Sequence, residues 1–373
     1  MAHSVQGANS NAVGWARERP SPSSRAVPAT RPLLPHASIV VLLALLAIAL
    51  LLNVGIGAVR IDPTEVMAIL LHHAGIETGV AFSGQQDAVL WAIRLPRVVL
   101  AGLVGAGLAV SGAALQGVFR NPLADPGLIG VSSGAALGAI ASIVLGLAPF
   151  GAASLAVFAF AGGLAATAIV YVLSRSEGRT EVVTLVLTGV ALNAIAGAAT
   201  SFLIYLADDA QLRTITFWTL GSAGGATWRS VAACLPFILL GLLLIPRWGG
   251  ALNLLVLGER EARHLGVETE RVRLALIGLT ALMTGAAVAL AGTIGFVGLV
   301  VPHLIRLAVG PDHRLLLPAS ALGGATLLLL ADLAARTVVV PAELPLGTVT
   351  AMVGGPFFLW LLHHTRRRQG GWG

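Results

Sequence analysis

Residues 94–138 read RLPRVVLAGLVGAGLAVSGAALQGVFRNPLADPGLIGVSSGAALG, and the architecture follows from them. Two arginines, Arg94 and Arg97, bracket a Leu-Pro pair. A glycine-rich apolar run follows, to Gly117. A polar break, Arg120-Asn-Pro-Leu-Ala-Asp-Pro126, interrupts it, and a second apolar run starts with Gly130, Gly134 and Gly138 four residues apart. Glycines at that spacing share one helix face and let another backbone approach closely, which is how helices pack in lipid. Proline stops the first helix and restricts the residue before it, so the stretch reads as a helical hairpin. Two packed membrane helices would account for the apolar runs but not for the arginine pair or the polar break.

Composition sets the class. The chain has 373 residues, 56% hydrophobic and 11% charged, with mean hydropathy +0.88. A soluble domain carries about 25% charged residues. So much apolar surface cannot be hidden from water in one soluble core, and the chain reads as an all-α polytopic membrane protein. Its one cysteine, Cys234, excludes a disulfide framework or a cysteine-based metal site within one chain. All 23 basic residues are arginine, so a lysine-dependent phosphate loop is excluded. If ATP drives this protein, another chain hydrolyses it.

Met1 to Ala37 is polar and aperiodic and reads as a disordered tail. The run after it is too long for a signal peptide and lacks a small-residue cleavage site. Ten spans are expected, near residues 38–58, the two of the hairpin, 152–173, 182–206, 230–246, 274–291, 295–309, 315–335 and 346–363. Residues 38–365 then form the transmembrane domain, and 366–373 a short tail. Val59 to Trp91 is read as short amphipathic helices outside the bilayer, with Asp62 capping a helix that starts at Pro63. Ten spans put both termini on one side. Seventeen arginines fall on that side and six on the other, which makes it the cytoplasm. The same spread argues against nucleic acid, because the net charge of +6 is not gathered into one stripe. A faint echo between Leu100-Ala-Gly-Leu-Val-Gly and Leu276-Ile-Gly-Leu-Thr suggests halves of inverted topology.

Few residues invite catalysis. Gly130-Val-Ser-Ser-Gly134 matches a serine-hydrolase elbow, but that elbow needs a strand before it, and this one lies in an apolar helix. Only Asp332 lies well inside a span, and a lone carboxylate reads as a helix–helix or near-surface polar contact rather than a proton relay. His72-His73 and His363-His364 read as solvated histidines at span ends; a heme-ligand role for His72 or His73 is the alternative. The longest break, about residues 247–273, carries Leu257 to Val267, which reads either as a solvated connecting helix or as a surface that docks another protein. Arg94, Arg97 and Arg336 fall near outer span ends, as interfacial snorkelling residues or as an acid-reading patch.

The motifs together resemble a known family. Arg94-Leu-Pro-Arg97, Ser111-Gly112 with Gln116, Arg120-Asn-Pro-Leu-Ala-Asp-Pro-Gly127, Gly258-Glu-Arg-Glu-Ala-Arg-His-Leu-Gly266, Gly295-Phe-Val-Gly-Leu-Val-Val-Pro-His303 and Ala342-Glu-Leu-Pro-Leu-Gly347 look like the permease subunits of ABC importers for ferric siderophores, cobalamin and heme. The resemblance implies a type II importer fold, a homodimer, two cytoplasmic ATPase subunits that bind ATP and magnesium, and a periplasmic binding protein. It implies that Arg94, Arg97 and Arg336 dock the binding protein. Gly258, Glu259, Arg260, Glu261, Ala262, Leu265 and Gly266 would belong to the coupling helix seated in the ATPase, and Asn121 and Leu123 would line the cytoplasmic gate.

Within the family, Tyr205-Leu-Ala-Asp-Asp-Ala-Gln-Leu-Arg213 resembles the heme permeases. The expectation is therefore a heme (hemin) permease of the inner membrane with no permanently bound cofactor, itself no enzyme. Ferric siderophore or cobalamin is the alternative cargo, and a proton-coupled carrier or a membrane enzyme the rival class. Arg213 is a candidate for a heme propionate, because guanidinium meets carboxylate with a two-pronged fork; pairing with Asp208 or Asp209 is the plainer reading. The amino-terminal tail is given no function.

Overall fold

In lipid a segment must satisfy its backbone internally, so long apolar runs become helices. The structure, a computed structural model, describes residues 35–57, 59–176 and 179–368. In chain order the helices are α1 (Pro35–Gly55), α2 (Pro63–His73), α3 (Gly84–Ala88), α4 (Leu95–Phe119), α5 (Val131–Val144), α6 (Ser154–Leu173), α7 (Val182–Leu206), α8 (Asp209–Leu220), α9 (Trp228–Leu244), α10 (Gly249–Leu257), α11 (Glu259–His264), α12 (Thr269–Ala291), α13 (Val297–Val309), α14 (His313–Thr337) and α15 (Leu346–Arg368). Two short strands, β1 (Arg175–Ser176) and β2 (Arg179–Thr180), pair antiparallel between α6 and α7. Seven helices are long and apolar enough to cross a membrane; with three shorter apolar stretches, α5, α13 and Leu346–Trp360 of α15, the described residues hold ten. This is the architecture expected of a type II importer permease.

The two halves echo each other in length. Helices α4 to α7 have 25, 14, 20 and 25 residues, and α12 to α15 have 23, 13, 25 and 23. Each half has a short second helix after a break.

Three boundaries differ from expectation. A π-helical turn, Val89–Arg94, fuses α3 to α4, so one helix runs from Gly84 to Phe119 and Arg94 and Arg97 lie within it. The sixth span does not stop at Pro246. A 3-10 turn, Ile245–Trp248, hands it on to α10, because Gly249–Leu257 is apolar and buries Leu252 and Leu255. Helix α15 continues through Arg368, past the expected end of the last span. The expected amino-terminal tail lies, up to residue 34, outside the described residues, as do residues 369–373.

Helix α4 is the shaft of the molecule. Of its apolar window 83% is buried, against 17% for α1 and for α7. It packs against α14, α12, α13 and α9. Missing side chains make this possible: a Cβ on Gly105 would strike the Gly324 carbonyl, and one on Gly112 the Gly298 carbonyl. The Gly134 and Gly138 face of α5 meets α6 in the same way, at Gly162 and Phe158. Arg120 takes the left-handed conformation (φ 50°) and ends α4 directly before Asn121-Pro122. At α2 the Glu65 carboxylate accepts the Asp62 N–H at 2.8 Å, with Pro63 in the first turn, as the sequence indicates.

Each apolar helix reverses the chain. The turn at 120–127, the β-hairpin, α11 and the α13–α14 corner gather at one end of the bundle, here the hairpin end. Helices α2, α3 and α8 and the loop after α14 gather at the opposite end.

Candidate functional site

At the opposite end, the three arginines read from the sequence do not stand free. Arg94 is 4% exposed, and its guanidinium donates to the carbonyls of Val54 (2.7 Å), Gly55 (3.5 Å) and Val59. It closes the last turn of α1 onto the start of α4. Arg97 donates from Nε to both carboxylate oxygens of Asp332, each at 3.0 Å, and from Nη1 to Glu343 at 3.0 Å. Arg336 donates to the Asn53 carbonyl (2.6 Å) and its Oδ1 (3.1 Å), and its Nε lies 4.0 Å from Asp332. Four separate elements, α1, α4, α14 and the loop after α14, are thereby tied by one buried charge cluster. Asp332, at 1% exposed, is the helix–helix contact expected of it. The outermost member of the cluster is Glu343, whose side chain is 49% exposed.

Two residues of the cluster, Asn53 and Glu343, have no role expected from the sequence. Asn53 is fully buried and donates to the carbonyls of Ala49 (2.8 Å) and Leu329 (3.0 Å). A lone amide in a 21-residue apolar helix was the signal, since such a group in lipid needs a partner. Glu343 lay inside a quoted motif but carried no role.

Arg213 stands on α8, exposed at the same end. It does not pair with Asp208 or Asp209: among the described residues it forms no ion pair. Asp208 instead caps α8, accepting the N–H groups of Ala210 (2.9 Å) and Gln211 (2.8 Å). His73 stacks on Trp91 (3.8 Å, 2°) and meets Asp87 at 2.8 Å, and His72 meets Glu77 at 3.3 Å. Both histidines are therefore tied into their own surface lobe.

At the hairpin end, Asn121 and Leu123 are exposed on the turn after α4. Asn121 Oδ1 accepts the Leu123 N–H at 2.9 Å, an Asx turn that fixes the loop. Asp125 Oδ1 accepts the Gly127 N–H at 2.8 Å; burial pushes its carboxyl up, and the Gly127 bond offsets part of that. Gln116, at 3% exposed, spreads its amide over three carbonyls, of Ala124, Gly298 and Leu299, each at 3.4 Å. Its Oε1 accepts from Arg306 at 2.8 Å. Asn253 on α10 joins the α13–α14 corner, donating to Asp312 at 2.6 Å and accepting the His313 N–H at 2.9 Å. That bond, with the Arg314 N–H, holds the Asp312 carboxyl below the usual carboxylate range. A cavity of about 610 Å³ lies between these groups, bounded by Gln116, Arg120, Asn121, Asn253 and Arg306.

The Gly258 to Gly266 stretch is a short helix held from one side. Gly258 (φ 138°) and Gly266 (φ 85°) both take conformations that favour glycine, and they set off α11 as a separate turn. Ala262 is buried and anchors it; Arg260, Glu261 and Leu265 are exposed. Glu259 faces inward to Arg263 (3.1 Å) and Arg273 (3.3 Å). Arg273, 3% exposed, also donates to Glu270 (2.6 Å) and to the Thr180 carbonyl (2.7 Å), so the base of α11 is tied to α12 and the β-hairpin. A rigidly based helix with a charged and apolar outer face can take up force from a partner surface. No group of three or more His, Cys, Asp or Glu that could hold a metal occurs among the described residues.

The chain is similar to known proteins. A model of the FecCD transport family matches residues 45–364. The hemin transport system permease protein HmuU of Yersinia pestis is 52% identical over 286 residues, 75% of this chain and 84% of that protein. The cobalamin import system permease protein BtuC of Halobacterium salinarum is 44% identical over 299 residues, 79% of this chain and 78% of that protein. Among solved structures, a metal-chelate type ABC transporter in an inward-facing conformation is 34% identical with a TM-score of 0.78, over 89% of this chain and all of that one.

Proposed function

The chain belongs to the FecCD transport family, as a permease subunit of a type II ABC importer, and from that premise we propose that its cargo is heme. The observation that carries this reading is the 52% identity to a hemin permease, against 44% to a cobalamin permease over a similar length. Two copies of the chain form the conduit. Because the chain has no lysine for a phosphate loop, ATP and magnesium bind on partner subunits. Those partners seat on α11 at the hairpin end, which faces the cytoplasm, and a periplasmic binding protein delivers heme to the opposite end. Both termini are cytoplasmic, in the inner membrane, as the arginine bias supports.

The geometry supports a role for each residue. Arg260, Glu261 and Leu265 meet the ATPase, while Glu259 and Ala262 hold the helix to its base between Gly258 and Gly266. Asn121 and Leu123 form the inner gate. Arg213, exposed and unpaired among the described residues, receives a propionate. Of the three outer arginines, Arg97 docks the binding protein by exchange: an incoming carboxylate displaces half-exposed Glu343 while Asp332 keeps the guanidinium in place. Arg94 and Arg336 hold the docking rim from beneath.

Uptake by vesicles tests this. The permease is reconstituted with its ATPase and binding protein and offered hemin, cobalamin or a ferric siderophore. ATP-dependent accumulation of hemin alone is expected. Uptake of cobalamin or siderophore without hemin would overturn the heme assignment, and hemin accumulation by the permease without an ATPase would overturn the ATP-driven one.

A further inference from the structure

A second cavity, of about 690 Å³, opens at the end of the molecule opposite the hairpin, between α6, α9 and α12. This lies within the size range of ligand pockets, about 300–1,000 Å³. Small side chains make the space: Ala152 and Ala156 on one wall, Ala286 and Ala289 on another. Phe160 and Phe237, at a ring separation of 4.8 Å, line it farther along α6 and α9. Its mouth is polar and carries Thr227, Arg229 and Ser230. Arg229 is exposed and forms no ion pair among the described residues. The first N–H groups of the 17-residue helix α9 lie beside it, adding the positive end of a helix dipole.

Depth and level identify the occupant. From Arg229 to Phe237 is eight residues of helix, about 12 Å. One leaflet of a bilayer offers about half of a 30 Å hydrocarbon core, roughly 15 Å. The lining from Arg229 to Phe237 therefore spans about one leaflet, the depth an acyl chain takes. The level of the mouth is marked independently: Trp228, 39% exposed, donates its indole N–H to the Trp91 carbonyl at 2.9 Å, and the two indoles lie 5.4 Å apart. Indoles concentrate at the headgroup level, which places Arg229 among lipid phosphates.

We propose that this crevice is a seat for one anionic phospholipid, with an acyl chain against the alanine walls and the phosphate on Arg229 at the head of α9. The seat makes no use of heme, of α11 or of the charge cluster around Arg97, which lies against the neighbouring Gly224. It depends only on the chain lying in a bilayer.

The full-length permease in nanodiscs of phosphatidylcholine, with or without phosphatidylglycerol, tests it. Native mass spectrometry after gentle delipidation is expected to show one retained phosphatidylglycerol per chain. Arg229→Gln should weaken retention about fivefold, as expected for one interfacial arginine. Ala156→Leu, which fills the crevice and leaves the charge, should abolish it. A second readout uses Ala233→Cys in a Cys234→Ala background, since Ala233 is exposed on the crevice wall. An apolar maleimide should alkylate the introduced thiol several-fold more slowly when phosphatidylglycerol is present. Equal retention of phosphatidylcholine, unchanged retention in Arg229→Gln, or an alkylation rate indifferent to lipid charge would each overturn the proposal. Protection by soluble glycerol phosphate in phosphatidylcholine alone would also overturn it, by showing a free-phosphate site.

Discussion

The residue that carries most structure is Arg97. Its side chain is 10% exposed and that of its partner Asp332 1%, so neither charge has water to fall back on. Removing one member strands the other. Arg97→Met is therefore expected to lower stability by about 3–5 kcal/mol, while the double variant Arg97→Met with Asp332→Leu should recover only part of that loss, because Arg336 also faces Asp332. Thermal unfolding of the purified protein checks it. A solvated pair gives the contrast: Arg271 and Glu268 are 82% and 63% exposed, and Arg271→Ala should change stability by no more than about 0.5 kcal/mol. The identities of these charges were legible in the sequence; their partners were not. Arg97 and Asp332 are 235 positions apart, and the six outer arginines looked alike because exposure is a tertiary property. Arg94 was read at a span end, where snorkelling is ordinary, yet it folds back onto carbonyls of α1.

At the scale of elements, backbone contact sets the tolerance of each helix. Gly112 on α4 faces the Gly298 carbonyl on α13, and backbone cannot turn aside as a side chain can. Gly112→Ala should force the two helices apart and cost about 1–3 kcal/mol, seen as a lower unfolding temperature and lower yield. Gly102, on the same helix, has open space at its Cβ position. Gly102→Ala should leave stability unchanged or raise it by up to about 1 kcal/mol. The glycine ladder on α5 was readable because spacing alone puts Gly130, Gly134 and Gly138 on one face. Which helix would meet that face was not. The fusion of α3 to α4 escaped the sequence for another reason: the polar Gly84-Gln-Gln-Asp87 and the Leu95-Pro96 pair read as breaks, and tertiary packing of Leu90 (fully buried) carries the helix through.

For the whole molecule, the ten apolar helices were plain in the composition, since length and apolarity suffice in lipid. Sidedness rests on the distribution of arginine. Alkaline phosphatase fused after Arg368 should therefore be inactive, and fused within the loop at Gly225 active; the reverse pattern would invert the assignment of both faces. The joint between the rigid shaft and the movable turn is Gln116, whose amide reaches three carbonyls at 3.4 Å instead of one at short range. Arg306 of α13 fixes the Gln116 oxygen at 2.8 Å, so the loose contact is the 3.4 Å reach of the amide nitrogen to the Ala124 carbonyl in the 120–125 turn. A contact of that sort yields at low cost, losing one long bond as it tightens another, so the 120–125 turn can shift while α4 stays held to α13 and the opposite end, pinned by its buried charges, keeps its shape.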